Sequence, residues 1–152
     1  MPHVDRDAQR RFPLVEIRRL TPSDEGHVQA ATHLFDTPPV RELTTDFLGR
    51  RGHHLLIAAI DRHPVGFVTG MEIAHPDKAL EMMLYELGVD ENYRRRGVGR
   101  ALVAELASLA REVGCTGMWV PVEAHDDRAV AFYQACGAAN PEPAATLWWD
   151  LA

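Results

Sequence analysis

An apolar stretch, Met82–Val89, leads into Arg94-Arg95-Arg96-Gly97-Val98-Gly99, and Leu102, Leu106, Leu109 and Val113 then recur at helical spacing. The pattern reads as a strand, a basic glycine-containing turn and a helix. Gly114 is a natural stop for that helix, and Met118–Val122 follows as a strand. A crossover of this kind sets its two flanking strands parallel, which narrows the fold to a sheet covered by helices. The turn also carries chemistry. Glycine lets backbone approach a ligand closely, and a helix start offers unpaired N–H groups and the positive end of a dipole. With three arginines added, the segment reads as a cradle for a pyrophosphate. No Gly-Lys-Ser/Thr follows, so it is not a P-loop, and it lacks the third glycine of a dinucleotide fingerprint.

The remaining segments place this unit in a larger sheet. Leu14–Leu20 alternates as a short strand. Thr21-Pro22-Ser23-Asp24-Glu25 starts a helix expected to run to about Phe35, with Val28, Ala31 and Phe35 on one face. Pro38 and Pro39 break it, and a second helix spans Val40 to about Arg50. Leu55–Ile60 and Val65–Ile73 form a hairpin around Asp61–Pro64. A helix from about Asp126 to Ala135 stops at Gly137, and Leu147–Leu151 is expected to close the chain as a strand, with a short one near Ala138. The adjacent Trp148 and Trp149 then point to opposite sides of that strand, one ring inward and one outward. The expected fold is a mixed α/β sheet, largely antiparallel, with one parallel pair and helices on both faces.

The 152 residues fit one domain, 1–152, with residues 1–12 loosely ordered. No apolar run approaches the roughly 18 residues a membrane helix needs, and the polar start is no secretory signal, so a cytoplasmic location is expected. Sixteen Lys and Arg against 22 Asp and Glu give a net charge of −6. That balance disfavours nucleic acid and suits a polycationic ligand, although it also simply keeps a small protein in solution. Cys115 and Cys136 make no disulfide framework, and the histidines, His53-His54 included, show no local metal spacing, so no metal is expected.

Arg94, Gly97 and Gly99 match the Arg/Gln-x-x-Gly-x-Gly/Ala motif, and the chain here resembles the GCN5-related N-acetyltransferase superfamily. A second block, Asp126–Gly137, is similar to that superfamily's Asn-x-x-Ala-x-x-Leu-Tyr-x-x-x-Gly segment, with Asp126 in place of Asn. The resemblance implies acetyl-CoA as cofactor. Its pyrophosphate would lie against Arg94, Arg95, Arg96, Gly97, Val98, Gly99 and Arg100. Main-chain groups of Leu87, Gly88 and Val89 would meet the acetyl carbonyl and pantetheine arm in a slot where two strands splay apart. Tyr133 would protonate the departing thiolate. A closer resemblance, from about residue 30 to 151, is to the class I aminoglycoside 3-N-acetyltransferases. It is carried by His33–Asp36, Asp46–Gly49, Leu55–Ala59, Tyr85–Leu87, Val120–Ala124, Asp126-Asp127, Ala129–Tyr133 and Trp149-Asp150. It implies acetylation of the 3-amino group of the 2-deoxystreptamine ring and antibiotic resistance. Gentamicin and sisomicin are the expected substrates, and a homodimer is compatible with the resemblance.

An attacking amine must lose a proton, so the acids and histidines near the slot are candidates for base. Glu123 comes first because it follows the strand Met118–Val122, where burial at an apolar strand end raises a carboxylate's pKa. His125 is the rival, because imidazole is the side chain whose unperturbed charge change falls near neutrality, and Glu86 is the third. Asp36, Glu86, Glu123, His125, Asp126, Asp127 and Asp150, with Asp46 beside them, are the candidate partners for substrate ammonium groups. Asp126 and Asp127 serve equally well as helix caps. Tyr133 is either catalytic or a packed tyrosine with its hydroxyl paired. The same machinery suits a polyamine, another small amine or a protein N-terminus. A non-catalytic acyl-CoA-binding module is the reading furthest from this.

Overall fold

The computed structural model describes residues 14–139 and 141–152. Its strands are β1 (Glu16–Arg19), β2 (His53–Ile60), β3 (His63–Ile73), β4 (Glu81–Val89) and β5 (Gly117–Trp119). Its helices are α1 (Glu25–Ala30), α2 (Arg41–Gly49), α3 (Val98–Glu112) and α4 (Asp127–Ala135). The strands join in the order β1-β2-β3-β4-β5. Pairing is antiparallel from β1 to β4 and parallel between β4 and β5, as the strand–helix–strand order requires.

Alternation along β2 and β3 divides the core between the two faces. Leu56, Ala58, Val68, Met82 and Leu84 pack against Val98, Leu102, Val103, Leu106, Leu109 and Ala110 of α3. Leu55, Ile57 and Phe67 point the other way, onto Val28 and Ala31 at the end of α1 and Leu48 of α2. Leu56, Met82, Leu102 and Leu106 are fully buried, each contributing about 1.5–3 kcal/mol of transfer free energy. Val113, read as the next position of the α3 stripe, instead caps the helix and is partly exposed; Gly114 then turns away at φ +93°. Glycine on β3 lets α3 sit close. A Cβ on Gly70 would stand 2.7 Å from Leu106 Cδ1 and 2.9 Å from Met82 Sδ.

Four segments depart from the sequence reading. The helix expected from Thr21 to Phe35 is a 3-10 turn at Pro22–Asp24, then α1, then a second 3-10 turn at Thr32–Leu34. Thr32 Oγ1 donates to the Gln29 carbonyl at 2.6 Å, and this side-chain bond competes with continued helix. The strand expected over Met118–Val122 is only Gly117–Trp119, because Pro121 has no N–H to give a ladder. The strands expected at Leu147–Leu151 and near Ala138 do not form. Pro141 and Pro143 precede the C-terminal stretch, no strand among the described residues pairs with it, and Trp148 and Trp149 are both exposed rather than alternating. The expectation for residues 1–12 lies outside the described residues. Among those described, no helix is long and apolar enough to cross a membrane.

Gly70→Ala is expected to destabilise the protein by about 1–3 kcal/mol through overpacking under α3. Gly26→Ala is expected to stabilise it by about 0.5–1 kcal/mol, because that helical glycine faces open space. Urea midpoints of the two variants check both signs.

Candidate active site

The site begins with an irregularity in β4. Thr69 of β3 pairs with Glu86, but the next residue, Gly70, pairs with Leu84, so Tyr85 is an extra residue in β4. A bulge of this kind bends its strand and shifts the side-chain alternation by one. Leu84 lies against α3, whereas Glu86, of the same parity, turns to the opposite face beside Thr69. The parallel pairing with β5 stops at Met83–Trp119, just before the bulge. From Leu84 to Val89, β4 therefore has no strand partner among the described residues on the side away from β3. The unpaired stretch takes in Leu87, Gly88 and Val89. Gly88 has a packing reason as well, since a Cβ there would meet Phe67 Cε1 at 2.6 Å.

Beyond β4 the backbone turns through a 3-10 turn, Glu91–Tyr93, into Arg94–Gly97. Arg95 and Gly97 both take left-handed backbone angles, φ +60° and +82°. Gly97 tolerates this freely and Arg95 does not, so the loop stores strain of the kind found at ligand clamps. Gly97 O accepts from Ala101 N, closing the first turn of α3. The N–H groups of Val98, Gly99 and Arg100 precede that bond and have no intrahelical acceptor. Open space surrounds the Gly97 Cα. Exposed Arg94, Arg95 and Arg96 flank it, with Arg94 Nε donating to Val89 O and Arg96 lying 5.1 Å above the Tyr93 ring. Unpaired N–H groups at the start of a 15-residue helix, an open glycine and three cations fit the pyrophosphate of coenzyme A.

Helix α4 seals the other side of this turn. A Cβ on Gly99 would stand 3.1 Å from Phe132 Cζ, so glycine there lets α4 approach α3. Arg100 was expected at the cofactor; its guanidinium instead donates to the Ala135 carbonyl near the end of α4, where the helix dipole favours a cation. Tyr133 is half-buried with its ring edge-on to Phe132. Burial pushes its phenol above the ordinary value, and the neighbouring Cys136 adds to the shift, so the hydroxyl keeps its proton at neutral pH.

Across the sheet, a cleft of about 670 Å³ opens between β3–β4 and the α1–α2 connection. Phe35, Pro38, Pro39, Leu43 and Phe47 give it an apolar wall, and Asp36 and Glu86 are its acids. Glu86 is held at its base: Glu86 N donates to Thr69 Oγ1 at 3.0 Å, and that hydroxyl faces Glu86 Oε2 at 3.4 Å. The other expected acids lie elsewhere. Glu123 and His125 are on the exposed coil after β5, so the burial expected for Glu123 at a strand end is absent. Asp126 caps α4, accepting from Ala129 N at 2.9 Å, and Asp127 is the first residue of that helix. Asp46 pairs with Arg50, and Asp150 accepts from Ala152 N in the exposed C-terminal stretch. Sequence reasoning missed the bulge and the aromatic–prolyl wall. Pro38-Pro39 was the available signal, and it reads only as a helix break.

Comparison with known proteins follows the same geometry. The solved aminoglycoside acetyltransferase meta-AAC0020, from an uncultured soil metagenomic sample and in complex with sisomicin, matches with a TM-score of 0.83 at 21% identity. That match covers 91% of this chain and 97% of the other. Aminoglycoside N-acetyltransferase AAC(6')-Iy in complex with CoA matches with a TM-score of 0.75 at 18% identity, over 94% and 99% of the two chains. At these identities the likeness is one of fold. Among curated relatives, human N-acetyltransferase 8 is 28% identical over 97 residues, which is 63% of this chain and 43% of the relative. The ribosomal protein bS18-alanine N-acetyltransferase of Escherichia coli K12 is 35% identical over 57 residues, 38% of each. The chain thus spans less than half the length of these two curated relatives. The acetyltransferase (GNAT) family model matches residues 15–138, taking in β4, the Arg94–Gly99 turn, α3 and α4, and the chain belongs to that family.

Proposed function

We propose that this acetyltransferase moves an acetyl group from acetyl-CoA to a primary amine of an aminoglycoside, with the 3-amino group of the 2-deoxystreptamine ring as the expected position. Resistance to the antibiotic would follow, because acetylation removes a positive charge and adds bulk. The observation that carries the reading is the cleft, which joins an apolar wall to two acids, Asp36 and Glu86, directly beside the splayed part of β4. An aminoglycoside offers several ammonium groups on a rigid frame, and carboxylates are their natural partners. Likeness to a protein solved with sisomicin supports the same class of substrate.

Acetyl-CoA is the acetyl donor of this family and supplies the activated thioester. The chain's own residues divide the remaining work. Backbone N–H groups of Val98, Gly99 and Arg100 hold the pyrophosphate, while the main chain of Leu87–Val89 lines the slot and orients the acyl end. Glu86 accepts the amine's proton from within the cleft, and Glu123 and His125, on the exposed coil after β5, stand as the alternative acceptors. Tyr133, protonated at working pH, gives its proton to the departing sulfur.

A second reading, acetylation of a protein N-terminus, is favoured by one observation: the 35% identity over 57 residues to the ribosomal protein bS18-alanine N-acetyltransferase. Thiol release from acetyl-CoA separates the two. Saturable turnover with sisomicin or gentamicin, weak turnover with spermidine and none with an alanine-starting peptide is the expected pattern. Turnover only with the peptide or spermidine would sink the aminoglycoside reading and leave the family assignment intact.

Glu86→Gln is expected to lower kcat about 100-fold or more near pH 7, with coenzyme A affinity unchanged. The deficit should shrink as pH rises and the substrate amine deprotonates in solution. Glu123→Gln run alongside assigns the base: if it carries the larger loss, the role passes to Glu123. Tyr133→Phe should reduce kcat more than KM, as loss of a group acting only in the transition state does.

A further inference from the structure

Three side chains distant in sequence meet at the C-terminal end of β4. His33 lies in the 3-10 turn Thr32–Leu34, His63 opens β3, and Asp90 follows β4. One ligating atom from each lies within 4.8 Å of the others. His33 Nε2 stands 3.8 Å from Asp90 Oδ2, and the two imidazoles stack with centroids 5.2 Å apart and planes 17° from parallel.

The surrounding contacts fix this arrangement. Asp90 N donates to Val65 O at 2.9 Å, pinning the residue to β3. Asp90 Oδ1 accepts from Asn92 N at 2.9 Å, which leaves Oδ2 turned towards His33. The His63 ring is 5.8 Å from that of Tyr93, which itself lies under Arg96. Both histidines are exposed, so an ion reaches them from solvent without rearrangement of the fold.

We infer that His33, His63 and Asp90 form a binding site for one divalent late first-row transition ion, Zn²⁺ being the best match. Two imidazole nitrogens and one carboxylate oxygen are the donors such ions prefer, and they suit Ca²⁺ or Mg²⁺ poorly. Ligands about 2.0–2.1 Å from a tetrahedral Zn²⁺ lie roughly 3.3 Å from each other. The His33–Asp90 separation therefore needs to close by about half an ångström, and no pair in the cluster by more than about 1.5 Å. His33 Nε2 currently faces Pro64 O at 3.0 Å, where it acts as an N–H donor. To ligate through Nε2, His33 moves its proton to Nδ1 and gives up that bond. Water completes the coordination shell on the exposed side. Among the described residues the other paired histidines lack a third such ligand: His27 meets Asp24, His54 meets Glu72, and His75 meets Glu81.

The test uses the full chain purified without a polyhistidine tag and stripped of metal. Co²⁺ is titrated while its visible d–d absorption is followed, and Zn²⁺ is titrated by calorimetry. One saturable ion per chain is expected. His33→Ala and His63→Ala, both at exposed positions, should each abolish it or weaken it at least tenfold. Asp90→Asn, which keeps the oxygen that caps Asn92, should also weaken it, and His54→Ala and His75→Ala should leave it unchanged. Circular dichroism confirms that each variant is folded. Absence of saturable binding, or binding that survives His33→Ala and His63→Ala, overturns the site.

Discussion

One extra residue in β4, Tyr85, sets the geometry on which the candidate site depends. Before it, β4 is an ordinary inner strand, paired on both sides and packed against α3 through Met82 and Leu84. After it, the strand has changed face and lost its parallel neighbour, so Glu86 turns into the cleft while the main chain of Leu87–Val89 is freed along one edge. Pro121 acts in the same direction from the other strand by denying β5 a further ladder bond. The slot is thus built from missing backbone pairing. That is tolerable only at a position where water or a ligand satisfies the exposed groups.

Charge is divided to match. The turn after β4 collects Arg94, Arg95 and Arg96 beside the unpaired N–H groups of α3, while the cleft holds Asp36 and Glu86. A net charge of −6 describes neither location. The basic turn and the acidic cleft lie at different places, and the free stretch of β4 runs between them. Helix α4 locks the arrangement through the contact of Phe132 with Gly99 and the bond from Arg100 to Ala135.

The β4–turn–α3 unit was legible in the sequence because each signal is local: an apolar run, glycines at a helix start and a 3.6-residue stripe. The hairpin β2–β3 and both faces of the core were legible for the same reason. The bulge was not, because Tyr85 and Glu86 fit an unbroken strand equally well, and only the register against Thr69 and Gly70 distinguishes the two. The cleft acids were read by proximity to motifs, which favoured Glu123. Both Glu123 and Glu86 are exposed, Glu123 on the coil after β5 and Glu86 lining the cleft, where the register of β4 against Thr69 puts it. The C-terminal stretch has strand-like composition, but composition supplies no partner, and none is present among the described residues.

The two ends of the sheet are unequally buried. Neither β5 nor α4 contains a fully buried residue, whereas β2, β3, β4 and α3 supply most of the core. Local unfolding therefore costs least on the side that carries Tyr133. Amide hydrogens of α4 should exchange with solvent long before those of β3, because that end of the sheet opens without disturbing the rest.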